Sequence, residues 1–148
     1  MRVAIAGATG FVGALLLKTL PGDFHVVALR RVSTADKSPS PDGITWKTCD
    51  LYSMLQIEKA LEGVDTAVYL VHSMLPTARL TQSSFEDADL LLADNFARAA
   101  KRAGVKRIIY LGGIIPETSR LSRHLLSRLE VEKALSSQGV PEIGRAHV

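Results

Sequence analysis

The stretch V-A-I-A-G-A-T-G-F-V-G-A-L-L-L-K-T-L at residues 3–20 decides the fold. Its first four residues form an apolar run with neither proline nor charge, the pattern of a strand buried on both faces of a parallel sheet. Gly7, Gly10 and Gly13 follow at three-residue spacing, and a helical run comes after them. Each glycine has its own purpose in such a turn. Gly7 lets the chain turn tightly, Gly10 lets backbone N–H groups approach a pyrophosphate, and Gly13 lets the helix lie close to the strand. The turn sets an anion at a helix N-terminus, where unpaired N–H groups and the macrodipole favour negative charge. A glycine-rich turn that binds nothing is the alternative, but the position between strand and helix favours a dinucleotide.

The rest of the chain is consistent with one α/β domain around that turn. Its 148 residues, 47% of them hydrophobic, suffice for one sizeable core. No apolar run approaches the roughly 20 residues of a spanning helix, and a first strand starting at Arg2 leaves no room for a signal peptide. The expected location is therefore cytoplasmic, away from membranes. Cys49 is the single cysteine, which excludes an internal disulfide and a multi-cysteine metal site, and no metal ligands are assigned. At the end of an apolar run it reads as a small core residue rather than a nucleophile. Net charge is +3, and the basic residues are spread over helix faces rather than gathered with aromatics, so a nucleic-acid partner is not expected.

Downstream, residues 24–29 (F-H-V-V-A-L) read as the second strand, with Arg30 and Arg31 directly after it. In a dinucleotide fold this strand end meets the adenosine ribose, where an acidic residue suits NAD and an arginine suits the 2'-phosphate of NADP. Basic residues here, with Asp36 too far into the loop, favour NADP(H) over NAD(H), although one arginine could be a plain surface residue. Residues 44–49 alternate as a third strand, and Asp50 after it is a candidate either for the adenine amino group or for an N-cap of the helix starting near Ser53.

A fourth strand at residues 64–71 delivers His72, Ser73 and Met74 at its carboxyl end, where ligands bind in open α/β sheets. His72 is a candidate acid, base or polar neighbour of ribose and nicotinamide. A long helix follows from Ser83 or Ser84 to Ala103, capped by serine, with Glu86 and Asp87 in its first turn and Phe85, Leu92 and Phe96 on its apolar face. Inside it, Asp94 and Asn95 are either exposed or, for an inward asparagine, able to order the strand ends beside it. The fifth strand spans residues 106–111, and a last helix at about 121–138 carries His124, Ser127, Arg128 and Glu132 on adjacent turns. This order predicts a doubly wound parallel sheet with helices on both faces.

Several of these segments resemble the atypical NAD(P)-binding branch of the short-chain dehydrogenase/reductase superfamily, related to NmrA-like proteins, and in particular its YbjT-type group. The resemblance covers about residues 2–140. It rests on G-A-T-G-F-V-G at residues 7–13, D-L at 50–51, Y-L-V-H-S-M at 69–74, D-N-F-A-R-A-A-K-R-A-G-V-K-R-I-I-Y-L-G-G at 94–113 and H-L-L-S-R-L-E-V at 124–131. It implies a Rossmann fold that binds NAD(P)H, with Gly7, Thr9, Gly10, Phe11, Val12, Gly13, Arg30 or Arg31, Asp50, Leu51, Val71, His72 and Ser73 at the cofactor. Active members of the superfamily open the last helix with Tyr-x-x-x-Lys, the lysine lowering the tyrosine pKa so that it exchanges a proton with a carbonyl. His124 and Arg128 stand in those places here, and Gly112-Gly113 replaces the serine that orients the carbonyl. Histidine can relay a proton near neutral pH, while a neighbouring arginine disfavours its charged form. His72, His124 and Arg128 are thus the catalytic candidates.

The same resemblance implies further chain after G-V-P. Residues 1–141 are then an incomplete NAD(P)-binding domain, truncated after about five strands with the fifth as an exposed edge. Residues 142–148 (E-I-G-R-A-H-V) leave the family pattern and read as a non-native tail, such as an in-frame sequencing adapter encodes. Two functions remain open. One is an NADPH-dependent oxidoreductase acting on a small carbonyl or quinone-like substrate, with the fragment alone inactive. The other is a non-catalytic NADP(H)-sensing regulatory protein that binds a protein partner.

Overall fold

The computed structural model describes residues 1–31, 42–72, 82–114, 116 and 120–144, and for residues 82–85 the backbone only. Six strands form one parallel sheet: β1 (Arg2–Ala6), β2 (His25–Arg30), β3 (Ile44–Thr48), β4 (Thr66–Tyr69), β5 (Arg107–Tyr110) and β6 (Glu142–Ile143). Four helices connect them: α1 (Phe11–Thr19), α2 (Met54–Ala60), α3 (Gln82–Arg102) and α4 (Arg123–Ser136). The strand order is β3-β2-β1-β4-β5-β6, so the winding direction reverses between β1 and β4. That reversal opens a crevice at the carboxyl ends of these two strands.

Side-chain alternation along the strands divides the core in two. Ala4, Ala6, Val27, Leu29, Ala67, Tyr69, Ile108 and Tyr110 pack with Ile57 and Leu61 next to α2, Phe96 of α3 and Leu135 of α4. Val3, Ile5, Val26, Ala28 and Val68 face the other way, onto Leu16 and Leu17 of α1. Tyr69 lies 5.0 Å from Phe96 and 6.3 Å from Tyr110, ring centre to ring centre, in tilted contacts that anchor α3 over the central strands. Cys49 is buried at 2% exposure, and burial pushes its thiol up to about 11, so it is a core residue and not a nucleophile.

Two expectations change. The sheet has six strands, not five, because β6 pairs in parallel with β5 (Ile108↔Glu142, Ile109↔Ile143). Two residues are too few to show an alternation pattern, and the pairing runs through backbone groups, including Ile108 N to Pro141 O at 2.9 Å. The fifth strand is therefore not the sheet edge. Second, α3 starts at Gln82, so Glu86 and Asp87 fall beyond its first turn; Glu86 instead meets Arg123 of α4 at 3.4 Å. The side chains of Ser83, Ser84 and Phe85 lie outside the described residues. Elsewhere the strands differ by only a few residues from the pattern reading: β2 includes Arg30, and β4 is confined to Thr66–Tyr69.

Candidate dinucleotide-binding site

The turn from β1 to α1 is shaped by how little room its backbone has. Gly7 has φ +87°, and a Cβ there would sit 3.0 Å from the carbonyl of Leu70, just past β4. Gly10 donates its N–H to Gly7 O at 3.0 Å and caps α1 in an extended conformation. A Cβ on Gly13 would collide with Gly7 O and lie 2.7 Å from Ala8 Cα. The helix thus begins in close contact with the turn. No side chain caps it, and the first amide bonded inside it is Ala14 N, to Gly10 O at 2.8 Å. The amides of Phe11, Val12 and Gly13 precede that bond, and Thr9, Gly10 and Phe11 are exposed, Phe11 at 91%. This is a cradle for an anionic group at the switch point of the sheet.

On the β2 side of the crevice, Arg30 is half-buried and holds its guanidinium 5.2 Å over the Trp46 ring. The register explains the contact. Arg30 pairs with Thr48 and Ala28 with Trp46, so arginine and tryptophan are diagonal neighbours on one face. Trp46 carries no obvious functional signal in the sequence; an arginine ending one strand and an aromatic two places short of the end of its neighbour is the pattern that would find it. Arg31 is exposed, and Asp36 lies outside the described residues.

The next strand end is ordered by a set of polar contacts. Asp50 Oδ1 accepts from Tyr52 N at 3.0 Å, and Asp50 N donates to Gln56 Oε1 at 2.9 Å. The N-cap of α2 is Ser53, whose hydroxyl accepts from Gln56 N at 3.4 Å, so the cap reading of Asp50 is corrected. Ser53 is three residues closer to the helix and reaches its open amide. Asn95 turns inward: its Nδ2 donates to Leu51 O at 3.2 Å and to Tyr52 O at 3.4 Å. Its neighbour Asp94 faces out and pairs with Arg98 at 2.9 Å. Leu51 is buried, so this loop is held from below by core packing and from the side by Asn95.

Beyond β4 and β5, Arg128 of α4 donates from Nη1 to His72 Nε2 at 2.8 Å and to Leu111 O at 3.4 Å. Arginine has no acceptor, so Nε2 of His72 must be the unprotonated nitrogen and the ring proton sits on Nδ1. Crowding by protein atoms, then the Arg128 charge, hold the His72 imidazole below its ordinary 6.5, with Asp89 opposing and His124 adding to the effect. His124 thus lies near His72, one turn before Arg128 on the same helix face. The Tyr110 phenol is raised by burial, which the adjacent Arg128 offsets in part. Ser127 and Glu132 are half-buried, as is Val71, and Ser73 and Met74 lie outside the described residues. Among the described residues no group of three or more His, Cys, Asp or Glu could hold a metal ion, and no helix is long and apolar enough to cross a membrane.

A model of the NAD(P)H-binding family matches residues 7–135, from the first glycine of the turn to the end of α4. The chain belongs to that family. Among curated relatives of this family member, the auxiliary protein GraX of Staphylococcus aureus is 33% identical over 128 residues, 86% of this chain and 40% of that protein. Quinone oxidoreductase 2 of Escherichia coli is 31% identical over 142 residues, 93% of this chain and 45% of that protein. The chain therefore spans less than half the length of either. Triphenylmethane reductase of Citrobacter shares the fold, with a TM-score of 0.78 and 22% identity over 97% of this chain and 48% of that one. The complex of that reductase with NADP(H) superposes at 0.76. The NAD(P)H-binding fold expected from residues 7–13 holds.

Two outcomes are expected of this geometry. Gly13→Ala sets a methyl group against backbone atoms that cannot step aside, so it should destabilise the fold by about 1–3 kcal/mol, as overpacking does. Urea unfolding measures this, and an unchanged midpoint would contradict the close approach. For His72, the folded pKa lies below the unfolded 6.5, so the unfolded chain binds the proton first as pH falls. The contribution of this site to stability is present above 6.5 and lost as pH drops toward the folded value. Replacing His72 with Gln should flatten stability against pH in that window, and an unaltered slope would refute the assignment.

Proposed function

We propose that the chain is the dinucleotide-binding part of an NADPH-dependent oxidoreductase that reduces a small carbonyl or quinone-like acceptor. The observation that carries the reading is the uncapped N-terminus of α1 at the switch point, opposite strand ends bearing His72 and, across from it, Arg128. In this reading Gly7, Thr9, Gly10, Phe11, Val12 and Gly13 surround the pyrophosphate. Arg30 and Arg31 meet the 2'-phosphate, and the Trp46 face keeps Arg30 extended at the end of β2. Asp50 and Leu51 border the adenine, in a loop that Asn95 holds. Val71, His72 and Ser73 border the nicotinamide. When bound, the reduced nicotinamide supplies hydride. His72, His124 and Arg128 stand where the acceptor must lie, and the chain's own task there is to orient that acceptor and balance its charge.

A second reading is a non-catalytic protein that responds to NADP(H) and passes its state to a protein partner. One observation favours it: the Nε2 of His72 is engaged by Arg128, and the Tyr-x-x-x-Lys positions hold His124 and Arg128. The two relatives point each way, one being named an auxiliary protein and the other a quinone oxidoreductase.

Titration of NADPH and NADH into the chain and into its Arg30→Ala and Arg31→Ala forms tests the cofactor reading. A lost charge-assisted bond to phosphate is worth about 1.5–3 kcal/mol. At least one substitution should therefore weaken NADPH roughly 10- to 100-fold while leaving NADH little changed. Equal or tighter binding of NADH by the unaltered chain would overturn the preference. Turnover of quinones or aldehydes by the full-length parent protein supports the enzyme; tight NADPH binding without turnover supports the regulator.

A further inference from the structure

Trp46 stands on β3, the edge strand of the sheet, and is half-buried rather than enclosed in the core. Alternation sets Val26, Ala28 and Arg30 of β2 on the face that α1 covers, beside Ile44 and Trp46 of β3. The backbone of Arg30 is fixed by the sheet: it pairs with Thr48, and its carbonyl accepts from Cys49 N at 2.8 Å. The Trp46 ring then reaches diagonally to the guanidinium, 5.2 Å from ring centre to Cζ. That is inside the range of about 6 Å in which a cation is held over an indole face. Lys47, the next residue, is turned to the opposite face, where its Nζ donates to Ala60 O at 3.1 Å and to Lys59 O at 3.4 Å at the end of α2. Since α1 packs on the Arg30 face, its open first amides and the Arg30 guanidinium lie toward the same side of the sheet. A dinucleotide with its pyrophosphate on those amides carries its adenosine ribose to the end of β2.

We propose that Trp46 is a specificity-determining residue of the dinucleotide site: its ring holds the Arg30 guanidinium in place for the 2'-phosphate, and this cross-strand pair carries the preference for NADP(H) over NAD(H). The assignment rests on the NADPH-dependent reading above. An arginine side chain is long and rich in rotamers, and ordering one at the moment of binding lowers affinity. Stacking on an indole fixes the guanidinium before the ligand arrives. It engages the flat face of the group, whereas phosphate is bound by N–H donors along its edge, so the two contacts are compatible. The 2'-phosphate is the group by which NADP(H) differs from NAD(H). Whatever orders Arg30 in advance therefore favours one nucleotide and leaves the other unaffected. Trp46 touches no phosphate in this role and acts through Arg30, which makes it a positioning residue. A ring that merely covered the sheet edge would contribute to stability and serve both nucleotides alike.

The test compares NADP+ and NAD+ by calorimetry in the unaltered chain, in Trp46→Leu and in Trp46→Phe. Loss of the ordering should weaken NADP+ about three- to tenfold in Trp46→Leu while NAD+ stays within about twofold. Trp46→Phe, with a weaker cation–π partner, should keep part of the preference. Trp46 is the only tryptophan of the chain, so its emission reports on the pair in the unaltered protein whether or not the variants fold. Adenosine 2',5'-bisphosphate should change that emission saturably, and more than 5'-AMP does at equal occupancy. An unchanged ratio of NADP+ to NAD+ affinity in folded Trp46→Leu, or equal emission responses to the two adenosine phosphates, overturns the role of Trp46 and leaves the dinucleotide reading standing. A folded unaltered chain that binds neither nucleotide, or that binds NAD+ at least as tightly as NADP+, overturns the NADP(H) reading itself, and this assignment falls with it.

Discussion

The backbone of Gly13 lies against the Gly7–Ala8 turn, and the geometry of the crevice follows from that contact. A side chain at Gly13 would meet the Gly7 carbonyl and the Ala8 backbone, and one at Gly7 would meet Leu70 beyond the neighbouring strand. With hydrogen alone at these positions, α1 starts directly over the end of β1. Its open amides then face the crevice at the one place where the sheet order reverses. Van der Waals exclusion, more than any attractive contact, fixes where negative charge can be held.

The two sides of this crevice are electrostatically similar and chemically distinct. Each carries a half-buried arginine: Arg30, at the end of β2, lies over the face of Trp46, and Arg128 of α4 is hydrogen-bonded to His72. The His72 imidazole, crowded first by protein atoms and then facing the Arg128 charge, is held below its ordinary value. In the resemblance drawn from the sequence, His124 takes the place of the tyrosine and Arg128 that of the lysine.

Much of the fold is legible in the sequence because its signals are local. The apolar run before Gly7, the three-residue glycine spacing and the glycines that close α3 and α4 each sit within one element and its turn. The site is legible only in part. Gly7, Gly10 and Gly13 announce themselves, but the bond between His72 and Arg128 spans 56 residues, and that from Asn95 to Leu51 spans 44. Such pairs depend on strand order and helix rotation, which no local pattern carries. Trp46 reads as one more apolar residue of an alternating strand until the β2–β3 register sets it beside Arg30. The two-residue β6 has no pattern at all, since its pairing uses the backbone.

The central claim is that the β1–α1 turn is the seat of the dinucleotide phosphates. The most direct measurement is the change in backbone amide resonances of the 15N-labelled chain as NADP+ is added. The amides of Gly10, Phe11, Val12 and Gly13 should shift most, followed by those near Arg30 and His72. Saturable shifts confined to other elements, with residues 10–13 unmoved, would contradict the account.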